Sequence, residues 1–198
     1  MTVLFPTDIH SVPIPQIFHS DVTKEPIKNC IDCDVSLIDS NKHYLIEKAF
    51  SYNKDYEVRN TIFEYAICYD CAMKLRESLS DESKKNMNEF FEKHSSFTER
   101  SEQLIKEKDF ELDKWIGNCM INGTPVNDTN EYQIFCQCQG DQMLFTYMPY
   151  MISGEALEEM AELLSDKTRD EMDGFMDDHF GVPPDYEEFF TRKKLLIV

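Results

Sequence analysis

Positive charge is scarce in this chain: 20 Lys and Arg stand against 38 Asp and Glu in 198 residues, a net charge of −18. Gripping a phosphate backbone requires clustered Lys and Arg, because released counterions drive that binding. The only basic clusters are Lys84-Lys85 and Arg192-Lys193-Lys194, so nucleic acid is not an expected partner. Long apolar runs are missing as well. None approaches the roughly 20 residues that cross a bilayer, and the opening MTVLFPTDIH lacks the basic and apolar regions of a secretory signal. The expectation is a cytoplasmic, reducing compartment with no membrane partner. Also absent are a Walker-type loop, a Gly-rich dinucleotide motif, a nucleophile elbow and an HExxH pair, so no enzyme activity is expected.

Apolar residues make up 41% of the chain, with 14 Phe and 9 Tyr, enough for a folded core. The acid is unevenly spread. Residues 1–97 carry 16 acidic and 11 basic side chains, whereas 98–198 carry 22 and 9. That surplus serves solubility, or else a docking face for a basic partner protein. The candidate partner-binding residues are Glu155, Glu158, Glu159, Glu162, Asp166 and Asp170.

The pattern divides the chain into five parts. Residues 1–27, with Pro6, Pro13, Pro15 and Pro26, suit an extended N-terminal arm. Residues 28–96 hold a cysteine pair, two strands (HYLIEKAF and TIFEYAIC) around the polar loop SYNKDYEVRN, a second cysteine pair, and two helices. Residues 97–116 read as a connecting helix with Leu104, Ile105, Leu112 and Trp115 on its apolar side. Residues 117–181 repeat the order of 28–96, including a hairpin through Gly140-Asp141. Residues 182–198 form a C-terminal tail.

Seven cysteines in a reducing compartment are metal ligands or buried thiols rather than disulfides. Cys30-Ile-Asp-Cys33 and Cys68-Tyr-Asp-Cys71 form CxxC…CxxC. Two intervening residues turn both sulfurs of a pair toward one point, and two pairs complete a tetrahedron for one Zn2+, a soft-thiolate site with no competing geometric demand. The order knuckle, hairpin, helix start resembles a treble-clef zinc finger over residues 28–80. The resemblance implies an α+β fold and a structural ion, and says little about activity, since unrelated functions share the scaffold. The sets of His and Asn that hold a catalytic metal in nuclease members are missing.

The second half keeps the order and loses the ligands. Cys119 stands at the place of Cys30, and Asn122 at that of Cys33. Laying TYMPYMISGEAL on EYAICYDCAMKL puts Tyr150 and Ser153 at the places of Cys68 and Cys71. The expected fold is therefore two tandem treble-clef-like modules, the first zinc-bound and the second metal-free. The latter is packed by Met148, Tyr150, Met151 and Ile152. Cys119, Cys136, Cys138 and His179 are an alternative second metal set, though free cysteines are more often small buried apolar groups.

One helical sentence is written twice, LSDESKKNMNEFFEKH from Leu79 and LSDKTRDEMDGFMDDH from Leu164, with six identities (Leu, Ser, Asp, Met, Phe, His). Ser80 or Asp81, Ser153 and Ser165 are expected N-caps. Met87/Phe90/Phe91 and Met172/Phe175/Met176 are expected apolar stripes. They pack either on each other or on their own hairpins. His94 and His179 are expected to hydrogen-bond carbonyls at helix ends. The function these features favour is a zinc-stabilised interaction or adaptor protein, the alternative a nucleic-acid-associated zinc-finger regulator.

Overall fold

A computed structural model describes residues 9–54, 56–94 and 96–181. Among the described residues the fold is α+β, with one six-stranded antiparallel sheet and six α-helices. Strands β2 (His43–Asn53) and β3 (Val58–Cys68) form the hairpin of the first half. Strands β4 (Glu131–Gln139), β5 (Gln142–Leu144) and β6 (Tyr150–Ser153) belong to the second. β2 pairs with β4 over nine positions, so both halves share one sheet, ordered β1-β5-β4-β2-β3 with β6 also on β4. Both sequence-expected hairpins form. Gly140, at φ +56°, supplies the left-handed residue of the β4–β5 turn. The loop expected over residues 51–60 is mostly strand instead. Ser51, Tyr52 and Asn53 pair with Asn60, Arg59 and Val58, and the Arg59 guanidinium lies over the Tyr52 ring. Cross-strand pairing supports polar residues that carry no periodic apolar signal.

The proline-rich arm is also more ordered than expected. β1 (Ser11–Pro13) adds to β5 at the sheet edge, and Phe18, in the single turn Gln16–Phe18, is fully buried. Lys48 fastens the segment. Its buried ammonium donates to the His19 carbonyl at 2.6 Å and sits 3.3 Å from Asp21 and 2.9 Å from Glu64. A buried lysine needs such partners, since an unpaired charge is strongly disfavoured there. Residues 1–8 and the tail 182–198 lie outside the described residues.

The helices are α1 (Tyr69–Ser78), α2 (Asp81–Lys93), α3 (Ser96–Lys106), α4 (Leu112–Ile116), α5 (Gly154–Glu162) and α6 (Asp166–Phe180). The connecting segment is thus two helices, not one. Lys108 turns the chain at φ +56°, and the buried Trp115 indole donates to the Asp109 carbonyl at 3.0 Å. Ser80, Ser153 and Ser165 are N-caps, as their sequences suggest.

The two copies of the repeated helix meet. Met87 of α2 packs with Ala161, Leu164 and Met172 of the second half, while Phe175 and Phe180 of α6 lie on Tyr65 and Phe63 of β3. The stripe of α6 is therefore divided: Met172 meets Met87 of α2, whereas Phe175 lies on the hairpin of the first half rather than its own. At their N-termini the two helices exchange caps. The Ser80 backbone N–H donates to Thr168 Oγ1 at 3.0 Å, and the Ser165 N–H donates to Ser83 Oγ at 2.9 Å. The four hydroxyls close a ring, Ser80 to Ser83 to Ser165 to Thr168 and back, at 3.0–3.4 Å. Orphan N–H groups of two helix starts are satisfied together, which explains why both positions need Ser or Thr.

The seam between the halves is centred on Glu47, opposite Phe135 in β4. Glu47 is 3% exposed and accepts a hydrogen bond from the Tyr65 hydroxyl, and its Oε1 has no partner. Burial raises its carboxyl well above the usual carboxylate range, against the opposing effect of the Tyr65 hydrogen bond.

Candidate metal centre

A turn, a strand end and a helix start converge on one point. Residues 30–36 make the turn, in which the Cys30 N–H donates to the Val35 carbonyl at 3.0 Å and the Asp34 N–H to the Cys30 carbonyl at 3.0 Å. Asp34 takes φ +56°, a conformation Asp tolerates better than most residues. The turn docks on the outer edge of β3 through the Ile31 N–H and the Ala66 carbonyl, 2.8 Å. Cys68 ends β3 and caps α1, and Cys71 lies in its first turn. An N-terminal helix turn favours anionic sulfur.

The sulfurs of Cys30, Cys33, Cys68 and Cys71 all lie within 4.8 Å of one another. Cys33 and Cys68 Sγ are 3.8 Å apart. A tetrahedron with metal–sulfur bonds of about 2.3 Å has edges of about 3.8 Å, so the donor set and its size fit a dication such as zinc. Burial raises the Cys71 and Cys68 thiols, and for Cys71 the neighbouring Asp32 adds to the effect. Cys33 is lowered, chiefly by the Val35 backbone N–H. Four adjacent thiolates need a compensating cation, and this donor set would supply soft ligands to one.

The surroundings include contacts that sequence spacing did not signal. Lys42 pairs with Asp70 of α1 at 3.0 Å. His179 Nε2 lies 3.9 Å from Asp32 Oδ1, between the two knuckle cysteines. His94 Nδ1 does hydrogen-bond a helix-end carbonyl, Phe90 O at 2.8 Å, but His179 departs from that expectation because α6 reaches across onto the first half. Nothing local in the sequence signals the Asp32–His179 approach.

The corresponding place in the second half has the same backbone and no cluster of ligands. The Cys119 N–H donates to the Thr124 carbonyl at 2.8 Å and the Gly123 N–H to the Cys119 carbonyl at 2.9 Å, with Gly123 at φ +75°. The Met120 N–H docks on the Met151 carbonyl at 2.8 Å, as Ile31 docks on Ala66. The Ser153 N–H donates to Cys119 Sγ at 3.3 Å, as the Cys68 N–H does to Cys30 Sγ at 3.3 Å. Ser153 thus occupies the place of Cys68, and Ala156 that of Cys71. This corrects the alignment by three residues, because the helix N-cap, not the aromatic pattern, marks the equivalent position. Asn122 Nδ2 donates to Ser153 Oγ at 3.3 Å, and Ser153 Oγ donates to Cys119 Sγ at 3.4 Å. Met148, Tyr150, Met151 and Ile152 are all buried beside it.

The alternative set does not assemble. Cys136 and Cys138 lie side by side on β4, Sγ to Sγ 3.6 Å, buried on both counts, while Cys119 faces Ser153 and His179 faces Asp32. The Cys30–Cys71 cluster is the only group of metal-ligating side chains in reach of one ion among the described residues. No described helix is long and apolar enough to cross a membrane. Comparison of the chain with protein-family models, curated proteins and solved structures gives no match.

Proposed function

We propose that this chain is a non-enzymatic adaptor, stabilised by one structural Zn2+ and presenting an acidic face to a basic protein partner. The observation that carries the zinc reading is closure. Four sulfurs within 4.8 Å of one another fill a tetrahedral shell and leave no open position for water or substrate. Zinc suits soft thiolates and imposes no geometry of its own. The halves are read as treble-clef-like units, one zinc-bound and one metal-free; the recurring knuckle hydrogen bonds and helix caps support that reading.

For the partner, the support is the exposure of Glu155, Glu158, Glu159 and Glu162 on α5 and of Asp166 and Asp170 on α6. Lys84 and Lys85 lie beside Asp81 and Glu89, at 3.9 and 3.8 Å, which favours a protein partner over nucleic acid. Elemental analysis is expected to find one zinc per chain. Binding to a lysine-rich peptide is expected to weaken with salt and to drop when Glu155, Glu158, Glu159 and Glu162 become Gln. The control changes Asp81, Glu82, Glu89 and Glu92 of α2 to amides. Equal losses from both sets would sink the docking face, and retention on DNA or RNA at physiological salt would favour the nucleic-acid reading.

A further inference from the structure

We propose that Cys33 is a modification site through which the centre responds to peroxide. Its sulfur is oxidised first, Cys68 closes a disulfide onto it, and the ion leaves. This rests on the zinc reading above. Of the seven cysteines, six are buried, none more than 3% exposed, and Cys33 alone is exposed. Its sulfur has that of Cys68 at 3.8 Å. The two stand on unequal supports. Cys68 is held by its pairing with Tyr44 in β2 and by its place at the start of α1, whereas Cys33 sits in an exposed turn. Closing 3.8 Å to a disulfide bond of about 2.05 Å therefore falls on the turn.

The chemistry balances with hydrogen peroxide as the oxidant. The Cys33 thiolate attacks one peroxide oxygen, the O–O bond breaks, and a sulfenic acid and hydroxide result. The Cys68 thiolate then attacks the Cys33 sulfur and expels a second hydroxide. Two thiolates have lost two electrons to one peroxide, both hydroxides take up protons to become water, and zinc has lost two of four ligands. The Cys30 and Cys71 thiolates that remain do not close a tetrahedral shell.

The second half provides the internal control. Asn122 and Ser153 stand at the places of Cys33 and Cys68 and offer no sulfur. Cys136 and Cys138 are closer together, 3.6 Å, yet both are fully buried. Proximity alone would oxidise that pair first; accessibility selects Cys33.

The test treats full-length, zinc-loaded protein with hydrogen peroxide, follows released zinc with a colorimetric chelator, and maps disulfides by mass spectrometry. One Cys33–Cys68 disulfide per zinc released is expected, with Cys119, Cys136 and Cys138 still reduced. Cys33→His keeps a zinc-ligating side chain and removes the reactive sulfur, and is expected to slow release by about tenfold or more. A first disulfide at Cys136–Cys138 or at any other pair overturns the proposal, as does wild-type release from Cys33→His. Should that variant not fold, the wild-type disulfide map decides. Protein purified without zinc would instead count against the zinc reading, and that is seen before peroxide is added.

Discussion

Around Cys30 a turn, a strand end and a helix start converge on four sulfurs; around Cys119 the same three pieces converge on one sulfur, one amide and one hydroxyl. The backbone hydrogen bonds correspond nearly one for one, from the Cys30 and Cys119 turns to their docking on Ala66 and Met151. What differs is the force at the centre. A metal–thiolate site contributes folding free energy directly, while the Asn122–Ser153–Cys119 chain contributes neutral hydrogen bonds of about 0.5–1.5 kcal/mol each. The Cys119 site is flanked by the buried side chains of Met148, Tyr150, Met151 and Ile152, and full burial of such groups contributes about 1.5–3 kcal/mol apiece. One backbone arrangement thus surrounds either a four-sulfur cluster or a hydrogen-bonded, apolar-flanked centre.

The most severe way to break the comparison is to remove the metal. A strong chelator, or Cys68→Ser, is expected to lower stability by an amount comparable with that of a whole small domain, about 5–15 kcal/mol. Ser153→Ala is expected to cost about 1 kcal/mol as a lost cap. Chemical denaturation with circular dichroism checks both, and equal losses would mean that the first half does not depend on an ion.

A second experiment tries to make the halves alike. Asn122→Cys, Ser153→Cys and Ala156→Cys together restore four cysteines around Cys119, and elemental analysis is expected to rise from one zinc per chain to two. A value that stays at one would show that the second knuckle has drifted from ligand geometry.

Between the halves, Glu47 gives a pH test. Its folded carboxyl is raised above the ordinary 4.5 by burial, against the hydrogen bond from Tyr65. A raised acid contributes stability in full below its unfolded value and loses it as pH climbs toward the folded value. Wild-type protein is therefore expected to weaken from about pH 4.5 upward relative to Glu47→Gln, which carries no titrating group there. Parallel urea midpoints for the two proteins across that range would expose the reverse, an ionised Glu47.

The smallest effect concerns the shared caps. Ser80→Ala and Ser165→Ala should each cost about 1 kcal/mol. Because their oxygens are 2.8 Å apart in one hydroxyl ring, the double variant should miss additivity by about 0.5 kcal/mol or more. Strict additivity in a double-mutant cycle would argue that the two helix starts act independently.

Features set by near neighbours were legible beforehand. Cys30, Cys33, Cys68 and Cys71 announce a cluster because two-residue spacing constrains where both sulfurs of a pair can point. Ser80, Ser153 and Ser165 announce helix starts because a cap bonds an N–H three residues on. The Gly140-Asp141 hairpin needs only its own turn. Misreadings occur where distant pairing intervenes. Ser51, Tyr52 and Asn53 and their partners Asn60, Arg59 and Val58 lie in a polar, loop-like pattern, yet pair as strand, with Arg59 over the Tyr52 ring. The equivalence of Ser153 with Cys68 is fixed by their contacts with the sulfurs of Cys119 and Cys30, three residues away from the match of aromatic side chains.

The sequence by itself determined the cysteine quartet, the serine caps, the two hairpins and the acidic surplus. These depend on local geometry and composition. Only the tertiary structure decided that β2 and β4 join the halves into one sheet, that α6 covers the hairpin of the other half, and that the repeated serines cap each other's helices. Those are contacts between residues some 80 or more positions apart. No local propensity encodes them; they follow from which apolar faces can be buried together once both halves are formed.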